Sequence, residues 1–171
     1  MIKLKNILIE IILEAGQKLG YVKLQLDLSA LTKLQERIDK NDLDTKGLET
    51  DPHITLLYGL QPEVTEQQVK EKLKPINFSS VSLFNVSIFE GPAETVLKFD
   101  VEEPGVYEAN KALCELPYTS DFPDYHPHVT IAFIKKGLGK KYVDMFKNEK
   151  LKISSKGIIY KNAGGQKFTI K

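Results

Sequence analysis

Two short motifs in this 171-residue chain combine residue types that can perform acid–base chemistry. Pro52-His53-Ile54-Thr55-Leu56 recurs further along the chain as Pro127-His128-Val129-Thr130-Ile131. Imidazole has an ordinary pKa of about 6.5, so it can accept or release a proton near neutrality. A threonine hydroxyl can donate a hydrogen bond to a phosphate oxygen. Two such pairs in one cleft would suit phosphodiester cleavage, with one histidine acting as base and the other as acid.

The offset from Pro52 to Pro127 also relates the segments that surround the motifs. Val22-Lys-Leu-Gln-Leu26 precedes Leu97-Lys-Phe-Asp-Val101 by this same offset, and so do apolar positions of the helix that follows each. Each unit would contain a strand, a helix, a loop and a strand that carries the motif. We therefore expect two similar lobes, about residues 21–90 and 94–171, that face each other across a cleft.

The remaining pattern predicts an α+β protein, with pseudo-twofold-related lobes of antiparallel sheet and helices around that central cleft. Strands and helices are mixed without βαβ regularity, and residues 40–52 are predicted as a loop. Strands are expected at 21–28, 53–58, 78–89, 94–101 and 128–134, helices at 29–40, 65–74, 106–116 and 141–147, and a hairpin turn at 162–165.

Residues 1–20 have apolar side chains at helical spacing, which predicts an amphipathic leading helix outside the repeated units. A signal peptide is rejected, because Glu10 interrupts the apolar run and no small-residue cleavage site follows it. The run is also too short for a transmembrane helix. This helix would pack on the domain or contact a partner protein.

Strand periodicity predicts which side chains reach the cleft. Alternate residues of a strand share a face, so His53 and Thr55 lie together. The apolar residues between them, and Tyr58, belong to the opposite face and to the core. The second motif repeats the pattern, which places Phe133 in the core as well.

Paired His-x-Thr motifs in duplicated units resemble the 2H phosphoesterase superfamily, which includes the RNA 2′,3′-cyclic phosphodiesterases once called 2′-5′ RNA ligases. The resemblance covers most of residues 20–171. It implies that His53, Thr55, His128 and Thr130 are catalytic. Because the two histidines and two threonines can together supply the acid, the base and the hydrogen-bond donors, we expect the reaction to need no metal and no other cofactor.

The segment from Phe122 to Thr130 is also similar to phage members that destroy cyclic oligonucleotide immune signals. Three substrate classes stay open: a 2′,3′-cyclic phosphate end, a 2′-5′ linkage, or a cyclic di- or trinucleotide. The expected partner is thus a small nucleotide, a cyclic oligonucleotide or an RNA end. The expected location is the cytoplasm, that of the host if the chain is phage-encoded.

The loop before the second motif supplies further candidates for substrate binding. Tyr118, Phe122 and Tyr125 could stack nucleobases, or could anchor the loop on the core. His126 forms His-x-His with His128 and, with a nearby aspartate such as Asp124 or Asp51, could suggest zinc, but this ligand set is thin. We expect His126 to line the mouth of the cleft or to face solvent, and we predict no metal site.

Charge is divided unevenly along the chain. The net charge is +1, which argues against a protein that grips long duplex nucleic acid. Residues 1–134 carry a net −8 and residues 135–171 a net +9. The basic segment is either a solvated face or a surface that attracts phosphates. Its first lysines after the second motif are the candidates for attraction: Lys135, Lys136, Lys140 and Lys141.

Composition limits the class of protein without selecting the function. The chain is 42% hydrophobic and 27% charged, which excludes a disordered chain and a polytopic membrane protein. Its one cysteine, Cys114, excludes an internal disulfide and is typical of a reducing compartment. Two other functions remain open: a module that binds nucleotides or RNA ends without turnover, and an assembly protein that uses the leading helix.

Overall fold

The computed structural model describes residues 18–120 and 123–171. The predicted leading helix lies outside these residues except at its last positions, and Gly20, its expected end, already begins a strand. Within the described residues there are eight strands, four α-helices and a 3₁₀ turn at Lys40–Asp42. The predicted α+β class is therefore confirmed.

Along the chain the strands are β1 (Gly20–Leu26), β2 (Leu43–Leu48), β3 (His53–Leu60), β4 (Ser80–Glu90), β5 (Glu94–Val101), β6 (His128–Lys135), β7 (Leu151–Lys161) and β8 (Lys167–Thr169). These strands pair in antiparallel fashion and join one sheet in the order β2-β6-β5-β4-β7-β1-β3, with β8 paired to β7. The helices are α1 (Ser29–Gln35), α2 (Glu66–Leu73), α3 (Pro104–Leu113) and α4 (Gly139–Phe146).

The order of the strands is nearly symmetric about the centre of the sheet. Read outward from the central pair β4 and β7, one half continues β5-β6 and the other β1-β3. Strands β1 and β3 correspond to β5 and β6 at the offset that separates the motifs, and the same offset relates the start of α1 at Ser29 to that of α3 at Pro104. The offset read from the sequence thus relates equivalent elements of the two halves.

One face of the sheet is apolar and packs against the helices. Leu24, Ile54, Leu97 and Val129 are fully buried, one from each of β1, β3, β5 and β6, in a single core cluster that also takes the apolar sides of the helices. Helix α2 begins at a capping box, as its Thr65-x-x-Gln68 pattern predicts. The opposite face carries the His-x-Thr side chains and is called the motif face below.

Strand β2 was missed by the sequence pattern, which predicted a loop over residues 40–52. Only Leu43 and Leu48 pair directly with β6, at Ile134 and Ala132, and an irregularity separates the two pairs. The residues between them lack the alternation that marks a strand. This strand forms because the outer edge of β6 offers backbone partners, which is a tertiary cause.

In the described residues, no helix is long and apolar enough to cross a membrane.

Candidate active site

Each motif stands at the beginning of a strand. The proline before each histidine accepts a hydrogen bond through its carbonyl from the neighbouring strand. The carbonyl of Pro52 accepts a hydrogen bond from the Leu26 amide at 2.9 Å, and the carbonyl of Pro127 accepts one from the Val101 amide at 3.3 Å. Proline lacks an N–H donor and is therefore suited to the position at which a chain enters a strand. The two histidines consequently start β3 and β6 in matching positions.

The two imidazole rings are held in the same way. Nδ1 of His53 lies 2.8 Å from the carbonyl oxygen of Asp51, and Nδ1 of His128 lies 3.1 Å from that of His126. A carbonyl can only accept, so each Nδ1 carries a proton, and each Nε2 is left to accept a proton in the neutral ring or to donate one in the protonated ring. This contact was not predicted from the sequence, although each motif has its acceptor two residues earlier across a proline.

The fold brings the two motif strands together. Strands β3 and β6 lie against each other, although the sheet order separates them widely. The hydroxyl of Tyr125, in the loop that leads into β6, donates to the carbonyl of Thr55 on β3 at 2.8 Å. The charge of His53 also contributes to lowering the pKa of His128. The two motifs therefore lie at one place in the fold, within electrostatic reach of each other.

Both motif strands contain a bulge, and Tyr58 and Phe133 lie beyond it on a different face from the predicted one. The register of β1 with β3 shifts after Val22, and that of β5 with β6 shifts after Leu97. Two consecutive residues are consequently buried in each motif strand. The prediction that Tyr58 and Phe133 are core residues was wrong, because strict alternation fails across a bulge. Both are partly exposed, on the side of the histidines and threonines.

The surroundings of His128 are apolar and positively charged. Its ring meets the ring of Phe89 edge to face at 5.1 Å between centroids, and Nζ of Lys98 lies 4.6 Å from the Phe89 centroid. The pKa of His128 is lowered to about 4, chiefly by desolvation and also by the charges of Lys98 and His53, against the opposing effects of the His126 carbonyl and Asp100. His128 is thus neutral over the whole physiological range.

Two buried lysines lie on the motif face and were not predicted as site residues. Lys23 of β1 is directly across from Thr55, and Lys98 of β5 is directly across from Thr130. They are 8% and 6% exposed. Each lysine is the second residue of its repeated strand segment, after Val22 or Leu97. The sequence signal that could have identified them as site residues was a polar residue on a strand next to a motif strand.

An open cavity of about 430 Å³ adjoins the motif face in the half that carries His53. The Tyr21 and Tyr58 rings stack at its wall, with centroids 6.4 Å apart and planes 14° from parallel, and Nζ of Lys161 lies 5.7 Å from the Tyr21 centroid. The turn between β7 and β8 completes the lining. Aromatic faces beside a cation and an open space are suited to a planar, electron-rich ligand group.

The other predicted binding residues of the loop have different environments. Tyr118 is exposed and pairs through its backbone with Leu60, while a hydrogen bond with Cys114 raises the pKa of its hydroxyl. Tyr125 is half-buried and meets Tyr107 edge to face. His126 is exposed, and exposure to solvent was one of the two environments expected for it. Phe122 lies outside the described residues.

The four lysines after the second motif are not brought to the histidines. Lys135 is seven residues beyond His128 on β6, roughly 23 Å at the usual rise of a strand. Each of the four ammonium groups has a local partner: the Asn41 carbonyl for Lys135, the Pro92 carbonyl for Lys136, Asp144 for Lys140 and Asp42 for Lys141.

Among the described residues, no three histidine, cysteine, aspartate or glutamate side chains are grouped so as to hold a metal ion. The zinc alternative around His126 thus finds no ligand cluster there. Cys114 is a free, partly buried thiol on the end of α3.

The fold is shared with a protein of known structure. The structure of Kluyveromyces marxianus Usb1 with uridine monophosphate superposes with a TM-score of 0.58 over 91% of this chain and 99% of that one, at 11% sequence identity. At that identity the likeness concerns the fold alone. No curated protein sequence matches the chain.

A protein-family model identifies the class more narrowly. The model described as anti-CBASS protein Acb1 matches residues 19–158, which include both motifs, the strands beside them and helices α1 to α4. The chain therefore belongs to the Acb1 anti-CBASS family. The predicted resemblance to the phage branch of the 2H phosphoesterases is confirmed.

Proposed function

We propose that this protein is a metal-independent phosphodiesterase of the 2H type that cleaves a cyclic oligonucleotide signal. The observation that carries the proposal is the pair of equivalent histidines, each with Nδ1 hydrogen-bonded to a carbonyl and Nε2 available, on strands that lie together. Membership of the anti-CBASS family supports the substrate class among the three that the sequence left open.

His128 is proposed as the general base and His53 as the general acid. Neutral His128 takes the proton from the attacking oxygen, a ribose 2′-hydroxyl or a water, through Nε2. The attacking oxygen bonds to phosphorus, the bond from phosphorus to the leaving oxygen breaks, and His53, in its protonated form, gives the leaving oxygen a proton from Nε2. The hydroxyls of Thr55 and Thr130 donate to the non-bridging oxygens as negative charge develops on them.

The cavity beside Tyr21 and Tyr58 is proposed to receive a nucleobase of the same substrate. Tyr58 is three residues beyond Thr55 on β3, roughly 10 Å along the strand, which is within the span of one nucleotide. A signal of this kind is made and sensed in the cytoplasm, so the protein is proposed to act there, in a host cell if a phage encodes it.

A substrate panel tests the function. Cyclic dinucleotides, cyclic trinucleotides, 2′-5′ oligoadenylates and 2′,3′-cyclic nucleotides would be incubated with the protein in EDTA, and products separated by chromatography. We expect cleavage of a cyclic oligonucleotide that persists in EDTA. Loss of cleavage on chelation, with recovery on adding zinc, would contradict the proposed mechanism. Binding without turnover of any panel member would instead favour the binding-module alternative.

A further inference from the structure

The buried lysines of the motif face occupy equivalent places in the two halves. Lys23 and Lys98 are separated by the same offset as the two motifs, on strands β1 and β5, next to the strands that carry the histidines. Burying an ammonium group is costly unless it is paired. Each of these lysines is paired with an aspartate, and the fold therefore keeps a buried, paired positive charge at two equivalent positions.

Each lysine is placed beside a hydroxyl of the proposed site. In antiparallel strands, directly opposed residues have Cβ atoms about 4.5–5.5 Å apart and point to the same face. Lys23 opposes Thr55 and Lys98 opposes Thr130 in this way. The charge of Lys98 is felt by His128, whose pKa it lowers. Both lysine side chains thus start beside a motif threonine, and their ammonium groups end on residues that touch the histidine sites: Asp51, whose carbonyl holds His53, and Phe89, whose ring contacts His128.

Both ammonium groups are held by a carboxylate that has other donors. Nζ of Lys23 donates to Asp51 at 2.6 Å, and the Gln25 amide donates to the second oxygen of the same carboxylate at 2.6 Å. The Asp51 side chain is 61% exposed, so water also reaches it. If Lys23 moved to a ligand, Asp51 would keep a hydrogen bond and its hydration.

The second half has the same provision with different residues. Lys98 is paired with Asp100, which also accepts from the Asn85 amide at 2.5 Å and from the Ser87 hydroxyl at 3.4 Å. Desolvation raises the pKa of Asp100, but the hydrogen bonds from Lys98 and Asn85 outweigh it and keep the carboxylate ionised. Neither aspartate is left unpaired when its lysine leaves.

We infer that Lys23 and Lys98 are the phosphate-binding cations of this site, released by Asp51 and Asp100 when the substrate arrives; the inference rests on the proposed function. A phosphodiester carries one negative charge, and attack on phosphorus adds a second to its non-bridging oxygens. One ammonium from each half would match that charge. Lysine has three N–H donors, so each can bind a phosphate oxygen beside its threonine.

Binding of inorganic phosphate tests the inference independently of turnover. Phosphate would be titrated into the full-length protein by calorimetry, with Lys23→Met and Lys98→Met as the test variants. We expect each to weaken phosphate binding by at least about tenfold. Lys70→Met, which removes an exposed ion pair with Glu66 on α2, is the matched control and should bind phosphate like the wild type.

The aspartate partners distinguish a ligand-binding lysine from a purely structural ion pair. Asp51→Asn and Asp100→Asn free the lysines, so phosphate binding should stay equal or become tighter. Equal weakening by the lysine and aspartate variants, or unchanged binding by the lysine variants, would overturn the inference. So would a wild-type protein that binds no phosphate, whether or not it cleaves the panel.

Kinetics on the cleaved substrate give a second readout. Each Lys→Met variant should lower kcat/KM by about 10²–10³-fold, the cost of removing one donor that acts on developing charge. Lys23→Arg and Lys98→Arg keep the charge and should recover part of the loss, which serves where a Met variant does not fold. An arginine variant as inactive as the methionine variant, with wild-type thermal stability, would contradict a role for the charge.

Discussion

The half of the sheet that carries His53 and the half that carries His128 share their backbone but differ in what surrounds the motif. By strand register, Lys161 of β7 is opposite Tyr21, and Phe89 of β4 is opposite Val96, the residue equivalent to Tyr21. The first half thus has a lysine over a tyrosine beside an open cavity. The second has apolar residues at the same places. Equivalent motifs are therefore flanked by a lysine and a tyrosine in one half and by a phenylalanine and a valine in the other.

This difference suits the two similar histidines to different proposed roles, His128 as base and His53 as acid. The ring of Phe89 excludes water from His128, and desolvation is the largest cause of its lowered pKa. A base must be neutral before it accepts a proton, so the apolar half suits the base. The repeat provides two equivalent histidines, and different residues on the neighbouring strands give them different surroundings.

Removing either imidazole should have the largest effect. His53→Ala and His128→Ala should each lower kcat by about 10²–10⁴-fold, because each removes one proton transfer. His126→Ala is the control, since its contribution to the site is a backbone carbonyl that alanine keeps. Initial rates on the cleaved panel substrate measure the effect. Near-wild-type turnover by either test variant would contradict a role for both halves.

The open cavity of the first half is tested next. Tyr58→Ala should raise KM by about 5- to 100-fold, because loss of a stacked base costs about 1–3 kcal/mol. Phe133→Ala at the equivalent position of the second half is the comparison, and Nζ of Lys46 already lies over that ring at 5.1 Å from its centroid. Steady-state kinetics of both variants would show equal KM changes if the cavity had no special role.

The apolar surroundings of His128 can be reversed. In the wild type, kcat/KM should fall as the pH drops through about 4, because His128 becomes protonated there. Phe89→Ala admits water, so the pKa of His128 should rise towards 6.5 and the decline should begin at higher pH. At pH 5 the variant should lose about tenfold relative to the wild type.

The pH profile of kcat/KM and the ring-proton NMR shifts of His128 measure this change. Tyr21→Leu, in the other half, should leave that NMR titration in place. An unchanged midpoint in Phe89→Ala would show that Phe89 is not the source of the desolvation.

Stability should follow the same histidine. Its folded pKa lies below the unfolded value, so between pH 6.5 and about 4 the unfolded chain binds more protons. The free energy of unfolding should therefore decrease as the pH falls through that window, by about 3 kcal/mol at most. Urea unfolding at several pH values would show a weaker dependence in His128→Gln than in the wild type. Equal slopes would contradict the lowered pKa.

The smallest effect is expected from the lysines beyond the second motif. Simultaneous replacement of Lys135, Lys136, Lys140 and Lys141 by glutamine should raise KM about twofold or less and slightly flatten its salt dependence. Lys135 is at the far end of β6, roughly 23 Å from His128 and beyond the screening length of about 8 Å at physiological salt, and the other three lysines have partners away from the histidines. A tenfold rise in KM would show that this segment attracts the substrate.

Much of the fold, and the residues of the candidate site, could be predicted from local sequence. Pro-His-x-Thr occurs twice, its offset matches that of a repeated strand, and the cap Thr65 announces α2 within four residues. Such signals depend on neighbours in the chain, which a single sequence displays. Strand β2 could not be predicted, because its partner β6 lies far away along the chain, beyond β3, β4 and β5.

By itself, the sequence determined the pair of motifs, the offset that relates the two halves and the α+β class, since these depend on residue types and periodicity. Only the tertiary structure decided that β3 and β6 meet and that bulges turn Tyr58 and Phe133 onto the motif face. It also decided that Lys23 and Lys98 are buried across from the threonines and that the Phe89 ring packs against His128. Proximity, register and burial arise between segments distant in the chain, so no local pattern encodes them.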